Sequence, residues 1–271
     1  MPIHSERDIS YYTFSSLDDY HLVHGVFMRH GGVSPKPWAS LNLATSVGDS
    51  KESVIENRRR IIKCLSLGED SIFDVWQVHS SRVIHAEDSR KLDQPHQKAD
   101  SIITNKPNIT IMMLFADCVP IMMYDPKNHV AALAHAGWQG TVNGVVGKTV
   151  KSMQENYACK PENLVACIGP SICLDHYEIG KDVAEEVERS FENTEQILIK
   201  KDGRIHLDLR IANRIILQKC GIKKIQNSNI CTACNISDWY SHRAENGKTG
   251  RFAAVITVSQ SNLSHDYKNK S

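Results

Sequence analysis

Two histidines and one cysteine lie in or beside apolar stretches of the chain, where polar side chains need partners. Cys118 lies within Phe115–Pro120, and His135 lies within Ala132–Gly137. His79 follows a tryptophan, a glutamine and a valine. Imidazole nitrogen and thiolate sulfur are zinc ligands. A single histidine or cysteine in such a stretch most often belongs to the core, so their mutual position must distinguish packing from metal binding.

A predicted β-hairpin brings two of these residues together. Asp125–Asn128 has the composition of a type I turn, with proline second, and apolar runs flank it on both sides. We take Tyr124 to face His129 across the turn. That register sets Cys118 opposite His135, with Cβ atoms about 4.5 to 5.5 Å apart, a spacing that suits two ligands of one metal ion.

His79 supplies the third ligand if its segment lies alongside the hairpin. Three protein ligands with a free fourth position describe a catalytic zinc, whereas a structural zinc takes four. Cys231 and Cys234 form a Cys-x-x-Cys motif without a second matching pair. They are the candidate fourth ligands, and a metal or redox site is the minor alternative, but we interpret them as two unrelated buried thiols.

The residues around His135 suggest an anion site. Gly137 allows close backbone approach, and a helix beginning at Trp138 would direct free N–H groups toward the metal. Asp117, beside Cys118, is expected to pair with a cation or to transfer a proton. Two segments, Tyr240–Arg243 and Thr249–Arg251, bracket a loop before the last predicted strand, and their residues, Arg243 among them, are expected to help complete the pocket.

A second polar region lies upstream. Arg29 and His30 precede a glycine pair, Asn42 follows, and Arg58 lies on the first predicted helix. Arginine beside glycines is typical of phosphate or ribose recognition, and a solvated loop explains the same pattern. We assign Arg29 and Asn42 to substrate or phosphate binding and His30 and Arg58 to catalysis.

Short apolar runs and helical periodicities alternate along the chain. The predicted strands are Val26–Met28, Arg82–His85, Ser101–Thr104, Ile111–Phe115, Ile121–Tyr124, Val130–Ala134, Leu164–Ile168 and Phe252–Val258. The predicted helices run from an Asp49 cap to Gly68, Trp138–Asn156, Lys181–Asn193 and Asp208–Cys220. The fold class is α/β of the mixed α+β kind, with a mixed sheet and packed helices in one domain over residues 1–258 and a polar tail over 259–271.

Composition excludes several classes of protein. The 271 residues carry 32 Lys and Arg against 31 Asp and Glu, so no bulk field favours nucleic acid or a membrane surface. Eight cysteines in this length are too few for a disulfide scaffold and are expected to be reduced. The N-terminal region lacks a signal-peptide core, and no apolar run is long enough to span a bilayer. We therefore expect a cytoplasmic protein.

Motifs distributed along the chain resemble those of the laccase-domain proteins, once described as multicopper polyphenol oxidases and now understood as zinc-dependent purine nucleoside phosphorylases. The resemblance spans nearly the whole chain and rests on Gly25–Ser34, Leu41–Leu43, Asn57–Arg58, Gln77–His79, Ala99–Asp100, Ala116–Pro120, His135–Trp138, Ile168–Pro170, Tyr177–Gly180, Leu207–Leu209 and Thr249–Arg251.

This resemblance implies that His79, Cys118 and His135 bind a catalytic Zn²⁺, with Cu²⁺ as the alternative metal. It implies phosphorolysis of adenosine, inosine, guanosine and S-methyl-5′-thioadenosine, adenosine deamination, and a fold related to cysteine-hydrolase toxins. The expected partners are purine nucleosides and phosphate, and the expected state is a monomer or small homo-oligomer. In deamination, Asp117 or His30 would move the proton. The family usually has arginine where this chain has Gln139.

Three other functions remain open at this point. Two histidines and a cysteine also describe a blue-copper site, and Met112, Met113, Met122 and Met123 lie nearby in the sequence, which would suit a copper-dependent polyphenol oxidase. A cysteine hydrolase would use Cys118 as nucleophile and His135 as base. A zinc-stabilised binding module would have no activity.

Overall fold

A computed structural model describes residues 3–20, 22–91 and 94–259 of the chain. The strands in these ranges are β1 (Ile3–Glu6), β2 (Ile9–Tyr12), β3 (Leu22–Phe27), β4 (Ile72–Phe73), β5 (Val83–His85), β6 (Ser101–Thr104), β7 (Thr110–Phe115), β8 (Val119–Asp125), β9 (Val130–Ala136), β10 (Val165–Ile168), β11 (Glu178–Ile179), β12 (Leu198–Lys201), β13 (Arg204–Leu207), β14 (Lys224–Asn227) and β15 (Phe252–Val258). The helices are α1 (Lys51–Cys64), α2 (Trp138–Val142), α3 (Val145–Tyr157), α4 (Lys181–Ser190) and α5 (Leu209–Lys219).

The described strands form three sheets. One six-stranded sheet has the order β1-β2-β3-β15-β7-β4, the other has the order β14-β10-β8-β9-β6-β5, and a three-stranded antiparallel sheet has the order β11-β13-β12. Both larger sheets are mixed, because β4 runs parallel to β7 in the first, and β10 to β14 and β5 to β6 in the second. The predicted mixed α/β class is confirmed, with three sheets instead of one. The expected kinship with toxin folds stays a prediction.

The two six-stranded sheets pack face to face, and helices cover their outer faces. Alternate residues of β9 show why: Ala131 and Leu133 lie in the core between the sheets, whereas Ala132 and Ala134 face the helical layer of α3, α4 and α5. The other sheet packs its outer face on α1. His135 continues the face of Ala131 and Leu133, so its ring points between the sheets.

The helix predictions are correct in type and less so in bounds. Ser50, not Asp49, caps α1, because the Ser50 hydroxyl accepts the Ser53 N–H. Asp49 instead accepts hydrogen bonds from the Ser34 hydroxyl and the Asn42 amide. Asp208 caps α5 as predicted, accepting two backbone N–H groups. The predicted third helix ends early, since α4 stops at Ser190.

The predicted helix Trp138–Asn156 is two helices. Gly144, with φ of 74°, separates the five-residue α2 from α3. A left-handed residue breaks the helical hydrogen-bond ladder, and glycine adopts it without strain. The helix that begins beside His135 is therefore short, and its dipole is correspondingly weak.

The hairpin forms, but its register differs from the prediction by two residues. Tyr124 pairs with Ala131, and His135 pairs with Pro120. Asp125 belongs to the strand, and its carboxylate accepts two turn N–H groups, which closes the turn one residue later than composition indicated. A shift of two preserves which face each side chain occupies.

None of the helices in the described part of the chain has the length and apolar composition needed to cross a bilayer. The single-domain assignment to residues 1–258 stays a prediction. Residues 260–271 of the predicted polar tail lie outside the described residues.

Candidate metal centre and active site

His79, Cys118 and His135 come together at the end of the hairpin, and we call them the three-residue site. One ligand atom from each lies within 4.8 Å of the others. The Cys118 sulfur is 3.9 Å from His79 Nε2, and the two imidazole rings have centroids 4.9 Å apart. Two nitrogens and one sulfur in this arrangement match a zinc site with an open fourth position.

Asp100 holds two of the three ligands in place. Its carboxylate accepts the backbone N–H groups of Val78, His79 and Ser80, which fixes a loop where His79 has φ of 58°. Its Oδ1 also lies 2.9 Å from His135 Nδ1. A ligating histidine commonly donates its second nitrogen to a carboxylate, and that contact leaves Nε2 of His135 for the metal.

Cys118 is presented by a bend between β7 and β8. Asp117, just before it, has φ of 83° and is 7% exposed. The Asp117 carboxylate accepts the Thr232 hydroxyl at 2.6 Å and the Arg243 backbone N–H at 2.6 Å. Asp117 therefore fastens two later segments of the chain to the bend that carries Cys118.

Electrostatics favour the thiolate form of Cys118. Burial alone would raise the pKa of the thiol, but His135 and His79 outweigh burial and lower it to about 6. Burial alone would lower the pKa of His135, but Cys118 and Asp100 raise it to about 9. The thiol is thus biased toward its metal-binding thiolate form, while the proton that metal binding must displace resides on His135.

Gly137 lies directly against the ligands. A Cβ atom at this position would lie 2.9 Å from the Cys118 sulfur and 3.0 Å from His79 Cδ2. Real Cβ atoms do not approach this closely, so any side chain at residue 137 would push into the site. The glycine thus keeps open the space between the ligands and the start of α2.

Positively charged and aromatic residues surround the site. Arg243 stacks on the Tyr177 ring at 5.0 Å and donates a hydrogen bond to the Glu178 carbonyl. Burial lowers the pKa of Arg251, on which the charges of Cys118 and Asp117 act in the opposite direction. Arg243 and Arg251 are therefore two cationic side chains near Cys118 and Asp117 that could contact an anion.

His242 adds a neutral ring to this group. Burial lowers its pKa below the usual value, and the neighbouring charge of Arg251 adds to the shift. A neutral imidazole has one N–H donor and one acceptor, so His242 can hydrogen-bond a polar ligand in either sense.

Arg29, which was expected to bind substrate or phosphate, and Arg58, which was expected to act in catalysis, both have acidic partners within the protein. Arg29 pairs with Glu245 at 3.1 Å and stacks on Tyr240. Arg58 pairs with the buried Asp74 at 2.9 Å. The described contacts place both in the scaffold, so their assigned roles stay predictions without support from the geometry.

The other predicted positions are spread around the site. Asn42 is fully buried and uses its amide on Ala44, Asp49 and Arg251, so it positions a loop. His30 contacts Asp238 at 3.1 Å. Trp138 packs partly against the helical core, and Gln139 beside it is exposed.

No role was predicted for Asp100 or Tyr177, whereas His242 and Arg251 belong to the segments expected to help complete the pocket. Asp100 gave a usable signal, because a carboxylate immediately before an apolar strand must find donors when it is buried. Tyr177 reaches the site through tertiary contacts between distant segments, which spacing along the chain does not reveal.

A family model described as multi-copper polyphenol oxidoreductase laccase matches residues 23–259. The chain belongs to this family. The family assignment made from motifs is thereby confirmed.

Relatives within the family are named as enzymes of nucleoside chemistry. A purine nucleoside phosphorylase of Deinococcus radiodurans is 36% identical over 86% of this chain and 88% of its own. A protein named adenosine deaminase, from an unknown prokaryotic organism, is 33% identical over 79% of this chain and 85% of its own. The crystal structure of YlmD from Geobacillus stearothermophilus has a TM-score of 0.89 and 29% identity, covering 96% of this chain and 99% of that one.

The candidate metal ligands of this chain contain few of the histidines that a multicopper oxidase would need. Among the described residues, two groups of three or more His, Cys, Asp or Glu side chains lie close enough to share a metal ion, and together they contain three histidines. The four methionines near the hairpin are at most 1% exposed and belong to the cores: Met112, Met113, Met122 and Met123.

Proposed function

We propose that this protein is a zinc-dependent purine nucleoside phosphorylase that also deaminates adenosine. It would convert adenosine, inosine, guanosine or S-methyl-5′-thioadenosine and phosphate into the free base and the sugar 1-phosphate. The names of its relatives support this reaction class. The observation that carries the proposal is the three-residue site with Asp100 behind it and two arginines beside it.

His79, Cys118 and His135 would hold the zinc ion. The donor set fits, because it contains a thiol biased toward thiolate and a histidine whose second nitrogen faces a buried carboxylate. When bound, zinc would supply Lewis acidity at its open fourth position. Asp100 keeps the His135 ring in the ligating orientation throughout.

Arg243 and Arg251 would bind the phosphate. Phosphorolysis brings an anion to the ribose carbon while positive charge develops there, so fixed cations must hold the anion in place. Arg243 is preorganised by the Tyr177 ring and by Asp117, which fastens its backbone. These two arginines would also supply the cationic contact expected at residue 139, where this chain has glutamine.

His242 would contact the purine. Its ring is neutral near pH 7 because burial lowers its pKa, and it can donate or accept one hydrogen bond at the leaving base. Asp117 would act by positioning, since both of its carboxylate oxygens already accept hydrogen bonds from the protein.

Product analysis of the purified protein tests this function. Adenosine is incubated with and without phosphate, and adenine, inosine and zinc content are measured for wild type and His79→Ala. We expect adenine only with phosphate, a smaller yield of inosine in either case, and loss of both products in the variant. Full turnover by a protein holding far less than stoichiometric zinc would refute zinc dependence.

A cysteine hydrolase is the second candidate, because Cys118, His135 and Asp100 form a thiol–imidazole–carboxylate chain. The two functions separate on metal removal. A hydrolase would gain activity when a chelator frees Cys118, and alkylation of that thiol would then abolish it. Loss of activity on chelation, restored by zinc, would exclude this candidate.

A reducing compartment is the expected site of action. None of the eight cysteines is paired in a disulfide, including the exposed Cys234. Free thiols persist where glutathione and thioredoxin systems operate, which supports the cytoplasm.

A further inference from the structure

A second group of metal-ligating side chains lies apart from the three-residue site. Cys173, His176, Cys231 and Cys234 each offer one ligand atom, and these four atoms lie within 4.8 Å of one another. We call this group the four-residue cluster. It is contributed by a Cys-x-x-His pair and a Cys-x-x-Cys pair that are more than fifty residues apart in sequence. The interpretation of Cys231 and Cys234 as unrelated buried thiols is therefore wrong, and Cys234 is exposed.

The distances match the edges of a tetrahedron around zinc. With zinc at about 2.3 Å from sulfur and about 2.0 Å from nitrogen, tetrahedral geometry sets S···S near 3.8 Å and S···N near 3.5 Å. The Cys173 and Cys234 sulfurs are 4.0 Å apart. His176 Nδ1 lies 3.4, 3.5 and 4.0 Å from the sulfurs of Cys173, Cys234 and Cys231. A disulfide would need sulfurs about 2.05 Å apart.

The backbone holds the two pairs side by side. Ser171 forms a parallel bridge with Cys231, with Ser171 N–H donating to the Ile230 carbonyl and Thr232 N–H to the Ser171 carbonyl. A short 3₁₀ turn, Leu174–His176, then returns the histidine toward Cys173. The cluster is thus built by backbone pairing and does not depend on chance contact of surface side chains.

Two amides point at one sulfur of the cluster. The backbone N–H groups of Cys173 and Cys234 donate to the Cys231 sulfur at 3.3 and 3.4 Å. Cys231 is only 6% exposed, so these amides take the place of water around its sulfur. Hydrogen bonds from amides stabilise a sulfur that carries negative charge, which is the form that ligates a metal.

We propose that Cys173, His176, Cys231 and Cys234 bind a structural zinc ion. Four protein ligands complete the tetrahedral shell, so this ion has no position free for water or substrate. Sulfur-rich sets of this kind select zinc over magnesium or calcium, which prefer oxygen. The ion is separate from the metal of the three-residue site and does not depend on the proposed reaction.

This zinc ion would stabilise the segments that support the active site. Thr232, next to Cys231, donates its hydroxyl to Asp117. Tyr177, next to His176, stacks on Arg243. One ion therefore connects the segment that fastens Asp117 with the segment that carries the partner of Arg243, so its loss would loosen both supports.

Zinc stoichiometry of the full-length protein tests the proposal. We expect two zinc ions per wild-type chain, one in Cys234→Ser, one in His79→Ala, and two in the control Cys220→Ser, whose thiol belongs to neither group. Cys234→Ser that retains as much zinc as wild type would overturn the proposal. A wild-type chain that binds one zinc ion, lost in His79→Ala, would do the same.

Cobalt binding keeps the test decisive if Cys234→Ser does not fold. Cys118→Ser has no sulfur left in the three-residue site, yet after metal removal and addition of Co²⁺ it should show thiolate-to-cobalt absorption from the four-residue cluster. Absence of that absorption would overturn the proposal. So would mass spectrometry that finds Cys231 and Cys234 joined as a disulfide in protein purified under air with no metal bound, which would make the pair a redox site.

Discussion

The three-residue site and the four-residue cluster use the same two ligand types but differ in number and surroundings. The first takes its ligands from three separate segments and has Asp100 behind His135. The second takes four ligands from two Cys-x-x pairs, and no described carboxylate is hydrogen-bonded to any of them. An open shell with an oriented histidine suits chemistry, whereas a closed shell of four ligands suits stability.

Asp117 connects the two sites. Its carboxylate accepts the hydroxyl of Thr232, the residue after Cys231, while the residue after Asp117 is the ligand Cys118. Loss of a ligand from the four-residue cluster should therefore also lower the activity of the three-residue site, but to a smaller extent. Loss of a ligand from the three-residue site should leave metal binding by the four-residue cluster unchanged. None of the four ligands of the cluster depends on His79, Cys118 or His135.

The largest expected effect is the difference in activity and stability between two matched cysteine variants, one in each site. Cys118→Ser should lower kcat/KM for adenosine by about a thousandfold or more, since a catalytic metal ligand is lost, with a smaller decrease in Tm than Cys234→Ser, because fewer protein ligands hold that ion. Cys234→Ser should lose about 4 kcal/mol of metal-linked stability and lower Tm by roughly 10 °C. Turnover assays and calorimetry on both variants check this. Equal effects of the two substitutions on Tm would erase the distinction.

Asp100→Asn tests the carboxylate that only the open site has. The amide can still accept from His135, but its NH₂ group faces N–H donors of the His79 loop. We expect zinc affinity or kcat/KM to fall by about 10- to 100-fold. The matched control is Asp175→Asn beside His176, where the carboxylate pairs with Lys201 on the surface. That control should leave both metals and activity unchanged, and a wild-type zinc affinity in Asp100→Asn would contradict the role of Asp100.

Thr232→Val tests the link between the sites. The substitution keeps the shape and removes the donor to Asp117, at a cost of about 1.5 to 3 kcal/mol, since a buried carboxylate loses a hydrogen bond. We expect a several-fold lower kcat/KM, two zinc ions still bound, and near wild-type behaviour in Thr232→Ser. Equal activity of the valine and serine variants would show that the hydrogen bond from Thr232 to Asp117 does not affect catalysis.

The smallest expected effect is a loss of folding stability at acidic pH. This loss must be distinguished from the loss of bound metal at the same pH. His24 is buried, accepts the Phe14 N–H at 2.8 Å, and has its pKa lowered by burial to about 4. In the unfolded chain the pKa is about 6.5, so unfolded protein takes up a proton first and stability falls as pH drops from about 6.5 to 4. The loss should total about 2 to 3 kcal/mol.

His24→Gln should remove that pH dependence, since glutamine can accept the same N–H without taking a proton. Denaturant unfolding at pH 7 and pH 5 measures the change for both proteins. Any acid sensitivity that remains in His24→Gln then belongs to the metal sites. An unaltered pH slope in the variant would contradict the assignment to His24.

Local signals made much of the fold accessible from sequence. Asp208 and the glycine after Cys220 set the bounds of α5, and the hairpin around Asp125 was recognisable from its turn. The register of the hairpin could not be recognised from the sequence, because the turn closes through the Asp125 carboxylate and shifts the pairing by two residues. Face alternation survived the shift, so Cys118 and His135 still meet, although across a bend instead of across a strand pair.

The remaining differences between the sequence predictions and the structure arise where a side chain contacts a segment that is distant in sequence. Arg29 was predicted to bind substrate or phosphate and Arg58 to act in catalysis, because nothing in the sequence shows that Glu245 and Asp74 pair with them. Cys231 and Cys234 looked unrelated because their partners, Cys173 and His176, lie on another segment. A ligand pair separated by more than fifty residues has no spacing signal, and the backbone bridge between Ser171 and Cys231 that brings the two pairs together is a tertiary contact.

Phosphate consumption is the most direct test of the central claim that the three-residue site carries out phosphorolysis. Zinc-loaded wild-type protein is incubated with adenosine and inorganic phosphate and followed by phosphorus NMR, with adenine measured in the same sample. We predict ribose 1-phosphate in an amount equal to adenine plus hypoxanthine, since inosine formed by deamination is cleaved as well, and none of the three with Cys118→Ser. Adenine release without loss of inorganic phosphate, or inosine as the sole product, would contradict the claim.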